Sequence, residues 1–423
     1  PLSDPLVLQQ ATPKQLELAA ADNHRQLFAL EAMAAKGEVL TTGGLSWTYA
    51  GPDDTAMIPF PSLTADDAGN MLDEMMARFR AHPPKSAGCW SLNPPQPADL
   101  GVRLLARGFQ TGWRPCWMAL RLADMRHHAA PAALQIVPDN ETDTALVSGL
   151  PYSGNNGAVS PALMQVFPDR AQRFLALLNG KIAGQSCVLF TRGAYGVAGI
   201  YNVGVVPEAR GRGIGKAVLL AACQYAQDRG YHYAVLNATG RRMYMQAGFQ
   251  WIGDGYTWWL NNQGYLTHPP SPARVTLAEA TGLGDIAMLD GISKQFTADD
   301  LNMPLSNGMT LMELAVHYRQ PSSADWLMQH GAAYTALDAW DLGWKERAAA
   351  LLSVQPAEVN RRYGHLQHTL LHAAAERNDM ALARLALSAK PDLEIRDKVY
   401  NSTPLDWARH FGRTAIIQMI SNS

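Results

Sequence analysis

The chain has 423 residues, 47% of them apolar and 17% charged, with a formal net charge of −2. That is the profile of an ordinary globular protein of several domains, and it argues against nucleic acid or a membrane surface as a partner. Cys89, Cys116, Cys187 and Cys223 are scattered without metal spacing, so no metal site is expected and the thiols read as reduced core residues of a cytoplasmic protein. No apolar run reaches the length of a membrane span, the start Pro-Leu-Ser-Asp lacks a signal-peptide pattern, and His127 and His128 read as linker.

In chain order, the first region (1–126) predicts a helix over 65–80. The segment before it, 56–62, has neither a glycine-rich loop nor an arginine. Leu104-Leu-Ala-Arg-Gly108-Phe109, followed by a strand-like run over 113–122, parallels 243–249 followed by 251–260. The two Gly-Phe pairs stand 140 residues apart. The first region therefore reads as a worn copy of the second, with an unrelated α/β domain as the alternative.

The second region (133–262) predicts a helix running into a strand over 169–178, a hairpin turn at Asn179-Gly180 and a partner strand over 181–190. A strand follows over 197–206, rich in β-branched residues. The next helix is expected to pack Ile214, Ala217, Val218, Ala221 and Tyr225 on the sheet and to end at Gly230. A strand at 233–236, a short helix carrying Tyr244 and a closing strand at 251–260 complete the region.

Residues 203–216 read VGVVPEARGRGIGK: a strand, a tight glycine-rich turn, then a helix. Unpaired backbone N–H groups, a helix N-terminus and arginines together suit a pyrophosphate. A P-loop is excluded because Arg210 replaces the first glycine and Ala217 the hydroxyl residue. A dinucleotide fingerprint is excluded because Val218 replaces the third glycine and Asp228 ends the helix rather than a following strand. Arg210, Gly213 and Gly215 fill the pattern Arg/Gln-x-x-Gly-x-Gly/Ala, and residues 237–249, NATGRRMYMQAGF, place Tyr244 four residues before Gly248-Phe249. Both segments, in this order, resemble the acyl-CoA loop and the Asn…Tyr-x-x-x-Gly-Phe segment of the GNAT superfamily of N-acetyltransferases.

The resemblance implies a mixed-sheet α/β acyl-CoA N-acyltransferase fold, acetyl-CoA as cofactor, and a first copy too degenerate to bind it. It implies that the backbone of Arg212, Gly213, Ile214, Gly215 and Lys216, with Gly211 and the Arg210 side chain, holds the pyrophosphate. The strand at Val203 and Val205 is expected to splay from its neighbour and pair with the pantetheine arm, with Asn237 hydrogen-bonding that arm. A free N–H near Val203 would polarise the thioester. Tyr244 is the candidate general acid, because a phenol's pKa lies near a thiol's. The strand before the loop has no carboxylate, so the base is left open: a water held by Tyr201 and Asn202, Asp254 at the pocket's edge, or an amine arriving neutral. Glu208 reads as a helix cap. Residues 152–157, Tyr201, Trp258 and Trp259 are candidates for the acceptor cleft, with core packing at least as good a reading for the tryptophans.

The third region (273–423) follows a proline-rich linker, THPPSP, at 267–272. Thr369-Leu-Leu-His-Ala-Ala and Thr403-Pro-Leu-Asp-Trp-Ala are 34 residues apart, with looser copies at Thr310 and Thr335 and a weaker unit around 277–289. These resemble ankyrin repeats and imply an all-α solenoid of four to five units. Three functions follow as expectations: acetyl-CoA-dependent N-acetylation of a small amine, such as an antibiotic or toxin; protein acetylation with the repeats recruiting a protein partner; or a non-catalytic acetyl-CoA-binding interaction protein.

Overall fold

The computed structural model describes residues 6–261, 266 and 268–423. Part of the linker, Thr267, and the ends of the expected domains at 1–5 and 262 lie outside them. The chain divides into two compact units, residues 1–104 with 109–267 and residues 105–108 with 268–423.

The first unit opens with helix α1 (Pro13–Ala34), started by Thr12 and Gln15 in a reciprocal capping box with Pro13 in the first turn. There follow β1 (Glu38–Thr42), β2 (Leu45–Tyr49), β3 (Thr55–Pro59), α2 (Ala65–Ala81), β4 (Ser86–Leu92), α3 (Leu100–Ala106), β5 (Gln110–Thr111) and β6 (Cys116–Arg121). The second half supplies β7 (Leu134–Pro138), α4 (Pro161–Val166), β8 (Ala171–Leu178), β9 (Lys181–Phe190), β10 (Ala198–Val205), α5 (Ile214–Asp228), β11 (Tyr233–Asn237), α6 (Arg241–Ala247) and β12 (Gln250–Leu260).

Ten strands form one mixed sheet in the order β3-β4-β12-β6-β11-β10-β9-β8-β7, with β5 beside β12. The expectation that 251–260 closes the second region's own sheet is corrected here. β6, from the first half, lies antiparallel to β11, and β12, from the second half, pairs with β4 and β6. Each half sends its last strand into the other, so one backbone ladder runs through both.

Helix α5 packs on β8, β9 and β10 through Val218, Leu219 and Cys223 against Val188 and Ile200. Its buried face is Ile214, Val218, Leu219, Ala222, Cys223 and Ala226. Ala217, Ala221 and Tyr225, expected on that face, lie on its half-buried flank; alanines on either side leave a periodicity argument free to rotate. Helix α2 covers β3 and β4 with Leu72, Met75 and Phe79 around Ile58, Cys89 and Trp258. Helix α1 lies among residues of both halves, with Leu16, Ala19 and Ala20 clustered with Trp90, Trp117 and Val235.

Asn179 and Gly180, both at positive φ, make the hairpin between β8 and β9. No helix leads directly into β8. The helix is earlier, at α4, and Arg173 sits buried inside β8, donating to the backbone carbonyls of Asp139 and Thr142. A strand buried on both faces loses the alternation by which it is recognised.

In the second unit, helices succeed one another in pairs: α7 (Pro272–Leu283) with α8 (Ile286–Ile292), then, past the short α9 (Ala298–Asn302), α10 (Leu311–His317) with α11 (Pro321–Gln329). They continue as α12 (Ala336–Asp341) with α13 (Lys345–Val354), α14 (Leu370–Arg377) with α15 (Met380–Ser388), and α16 (Pro404–His410) with α17 (Thr414–Ser421). Thr310, Thr335, Thr369 and Thr403 each open a helix with a capping box, partnered by Glu313, Asp338, His372 and Asp406.

Candidate functional site

The site begins with a fault in β10. This strand pairs in parallel with β11 only at Ala198 and Gly199. On its other side the register with β9 shifts between Tyr201 and Gly204, where Asn202 takes φ +53°. Beyond Gly199 the strand therefore leaves β11, and a space opens beside Val203, Gly204 and Val205.

A cleft of about 660 Å³ lies at this point, lined by Val203, Val205, Arg210, Gly211, Gly213, Ile214, Gly215 and Lys216, and closed by Arg242, Met243 and Gln246 of α6. Gly211 and Gly213 hold φ of +77° and +82°, which other residues adopt only with strain, and a Cβ on either would meet only open space. Gly215 is needed for space instead, since a Cβ there would come 3.1 Å from the Met243 sulfur and 3.4 Å from Val205. Helix α5 starts at Gly213 with no side-chain cap. The N–H groups of its first turn therefore face the cleft without an intrahelical partner, at the positive end of the helix dipole. The expectation that Glu208 caps this helix is not met. Among the described residues the lining carries three cations, Arg210, Lys216 and Arg242, and no carboxylate. Its donors suit a pyrophosphate.

The expected cofactor residues do not all meet in this cleft. Arg212 lies outside its lining. Arg210 directs Nε to the Val205 carbonyl at 3.1 Å, so that acceptor is already engaged by the protein. Asn237 lines the neighbouring cavity instead, and its side-chain oxygen accepts from the Cys116 N–H at 3.0 Å, tying β11 to β6.

That second cavity, about 280 Å³, shares Val203 with the cleft. Tyr152, Tyr201, Asn202 and Tyr244 come from the second half; His24, Phe28, Trp90 and Trp113 come from the first. Among the described residues no Asp, Glu, Lys or Arg lines it. Tyr244 is buried to 9% exposure, and burial, assisted by nearby Tyr152, pushes its phenol up to about 12.

Two expected catalytic residues are engaged by the protein. The Asn202 side-chain oxygen accepts from the Ala158 N–H at 2.8 Å, and its nitrogen donates to the Val159 carbonyl at 3.0 Å. It secures the 157–159 turn over the cavity. Tyr201 donates to Asn23 Oδ1 at 2.5 Å, and burial holds its phenol well above the usual range. Of the remaining candidates, Asp254 accepts from the Trp251 indole and lies outside both linings. Trp258 is a core residue under α2, and Trp259 fills the space over Gly88.

Sequence reasoning assigned nothing to residues 13–34, which supply His24 and Phe28. A signal was available. Thr12-Pro13 with Gln15 marks a helix start, and the apolar stripe Leu16, Ala19, Ala20, Leu27, Leu30 is interrupted by Asn23 and His24, both buried. Arg242 and Gln246, one helical turn apart and flanking Tyr244, were legible in the same way.

Residues 149–249 match the Acetyltransferase (GNAT) family. The chain is 43% identical over 61 residues to mycothiol acetyltransferase of Arthrobacter sp. (strain FB24), covering 13% of this chain and 19% of that protein. It is 31% identical over 78 residues to glucosamine 6-phosphate N-acetyltransferase of Trypanosoma brucei brucei, covering 17% and 53%. It thus spans about a fifth to a half of the length of these curated relatives. Among solved structures, a GCN5-related N-acetyltransferase from Kribbella flavida aligns with 58% of this chain and 97% of its own, at 16% identity and a TM-score of 0.46. Residues 149–249, the part of the chain that matches the GNAT acetyltransferase family, are the segment that builds the cleft.

Proposed function

We propose that the protein is an acetyl-CoA-dependent N-acetyltransferase that acetylates a primary amine of a small molecule by direct attack in a ternary complex. One observation carries this reading. Val203 lines both spaces, so a group reaching along β10 from an anion-binding helix end arrives beside Tyr244 and an aromatic-lined cavity.

The uncapped turn of α5, with Arg210, Lys216 and Arg242, would hold the pyrophosphate, and the separated edge of β10 would pair with the pantetheine arm. A backbone N–H at the fault near Val203 would stabilise the oxyanion. As the C–N bond forms and the C–S bond breaks, the Tyr244 hydroxyl gives its proton to the sulfur. A phenol near 12 is a weak acid for this step.

The printed names of the curated relatives are those of small-molecule acetyltransferases. The absence of charged side chains from the described lining favours a compact monoamine over a polycation, which would need counter-ions. In this reading the first half is a degenerate GNAT copy without a cofactor loop. The Thr-capped helix pairs support an ankyrin-type solenoid for 273–423. No helix among the described residues is long and apolar enough to cross a membrane, and the four cysteines are unpaired, as a reducing compartment would keep them.

The test is calorimetric titration of the full chain with acetyl-CoA, followed by thiol-release assays with 2-phenylethylamine, tryptamine, glucosamine 6-phosphate and putrescine. Binding with turnover of the monoamines supports the reading. Failure to bind acetyl-CoA, or binding without turnover of any amine, refutes it.

A further inference from the structure

The proposed acceptor cavity contains, among the described residues, one imidazole, and it comes from the half that has no cofactor loop. His24 lies on α1 with its ring among Phe28, Phe60, Trp90, Trp117 and Tyr201, at centroid distances of 5.0 to 6.4 Å. Its Nδ1 is 3.2 Å from the Ala20 carbonyl oxygen and 3.2 Å from the Tyr201 hydroxyl. A carbonyl oxygen can only accept, so Nδ1 carries the hydrogen. The Tyr201 hydroxyl donates to Asn23 Oδ1 at 2.5 Å, which leaves its oxygen free to receive Nδ1–H. Asn23 is itself fixed, its nitrogen donating to the Leu189 carbonyl at 3.1 Å.

This chain of bonds sets the tautomer. With the hydrogen on Nδ1, Nε2 holds a lone pair. Nε2 takes no hydrogen bond among the described residues, and the ring lines the cavity together with Val203 and Tyr244.

We propose that His24 is the proton acceptor of the transfer, taking the amine's proton at Nε2, so that the N-terminal helix completes the acceptor site. This rests on the transferase reading above. The amine enters neutral, having left its first proton in solvent. Its nitrogen attacks the thioester carbon. As the C–N bond forms the nitrogen becomes positive and acidic, and its proton passes to Nε2. The C–S bond breaks, and the sulfur takes the Tyr244 proton. The imidazolium and the phenolate that remain are neutralised through solvent as the products leave, so proton and charge balance over one turnover.

The titratable groups that line the cavity with His24 are Tyr152, Tyr201 and Tyr244, and burial raises the phenols of Tyr201 and Tyr244. Burial pulls the imidazole down to about 4, so it is neutral and able to accept throughout the working range. The carboxylates nearest in the chain are otherwise engaged. Both Glu31 oxygens accept from Ser160, at 2.7 Å from its N–H and 2.6 Å from its hydroxyl, and Asp22 accepts from Gln26.

Two measurements on the full chain test this. The first is the ring ¹⁵N spectrum of protein labelled at histidine, with His24 assigned by the signal lost in His24→Gln. An Nδ1–H, neutral ring at pH 7 is expected; an Nε2–H tautomer or an imidazolium overturns the proposal. The second is single-turnover acetylation of 2-phenylethylamine at saturating acetyl-CoA by His24→Asn, which keeps a donor near the Nδ1 position and removes Nε2. A fall of about 100-fold or more, with acetyl-CoA affinity unchanged, is expected for loss of a general base. A variant within about threefold of wild type overturns the role of His24 while leaving the transferase reading intact. A wild type that turns over no amine overturns both.

Discussion

Replacing Gly213 by glutamate separates the two properties the loop is argued to have, a backbone conformation and an empty anion site. Gly213 holds φ +82° at the start of α5, and its Cβ would meet no atom within 4 Å. A side chain there costs about 1–2 kcal/mol for the left-handed conformation. A carboxylate at a helix N-terminus recovers about 0.3–1 kcal/mol of this. The net loss, about 1 kcal/mol, lowers Tm by about 2–4 °C in a unit of this size. Binding should suffer far more. A carboxylate about 4–6 Å from a pyrophosphate charge is repelled by about 3–4 kcal/mol at an effective dielectric of about 20. Even half of that, after screening by salt, is a loss of at least about tenfold, and the full term exceeds about 100-fold. Gly213→Ala carries the strain without the charge and should bind acetyl-CoA within about tenfold of wild type. Calorimetric titration of both variants, with a thermal melt of each, makes the comparison. If Gly213→Glu binds acetyl-CoA within about threefold of wild type, the pyrophosphate does not sit on this turn and the assignment of the cleft is wrong.

Tyr244→Phe removes the proposed acid at a residue outside the lining of the cofactor cleft, so kcat should fall about 10²–10³-fold with acetyl-CoA affinity unchanged by calorimetry; an unchanged kcat would remove Tyr244 from the mechanism. The pH profile follows from the two shifted groups. His24, lowered from 6.5 to about 4, keeps its accepting form above that pH and loses it only as pH falls through 4, while Tyr244, raised to about 12, keeps its donating form until pH approaches 12. Between these limits kcat/KM should rise with the acceptor amine's own deprotonation and shift when the amine is changed; an inflection near 6.5 common to all amines would contradict this. Gly199→Ala would bring a Cβ to 1.9 Å from Asn23 Oδ1 and 2.7 Å from the Tyr201 ring, in a strand position where φ poses no difficulty. It should cost about 1–3 kcal/mol through overpacking and reduce turnover by displacing the Asn23–Tyr201–His24 chain; a melting temperature equal to wild type's would refute the packing argument.

The cleft proposed for the cofactor was legible because its elements are local. A helix N-terminus, two glycines at positive φ and flanking cations lie within a few residues of one another, and each residue type has a physical reason at its place. Tyr244 was legible for the same reason, through its distance from Gly248-Phe249. The bonds of Asn202 and Tyr201 were not legible, because a single strand says which polar side chains exist, not what they bond to. Their partners, Val159 and Asn23, come from a turn 43 residues away and a helix 178 residues away. The same holds for Asn237, whose side-chain oxygen bonds to Cys116 on a strand from the other half.

The exchange of β6 and β12 gives a physical account of why the first half is present without a cofactor loop of its own. β12 leaves α6 and runs along β6 and then β4, while β6 runs along β11, so Trp90 on β4 and Trp113, just before β6, are carried to the same cavity as Tyr201 and Tyr244. Helix α1, clustered with residues of both halves, adds His24 and Phe28. On the proposed reading, a first half without a pyrophosphate site needs no glycines at 56–62 but still presents an apolar wall and one imidazole. Such a wall leaves no short motif, because aromatic residues on a helix, a strand and a loop meet only after the sheet has formed. The proposed division of labour is then asymmetric: the second half would supply the cofactor groove and the acid, and the first half the acceptor's surroundings and, by the inference drawn from His24, the base.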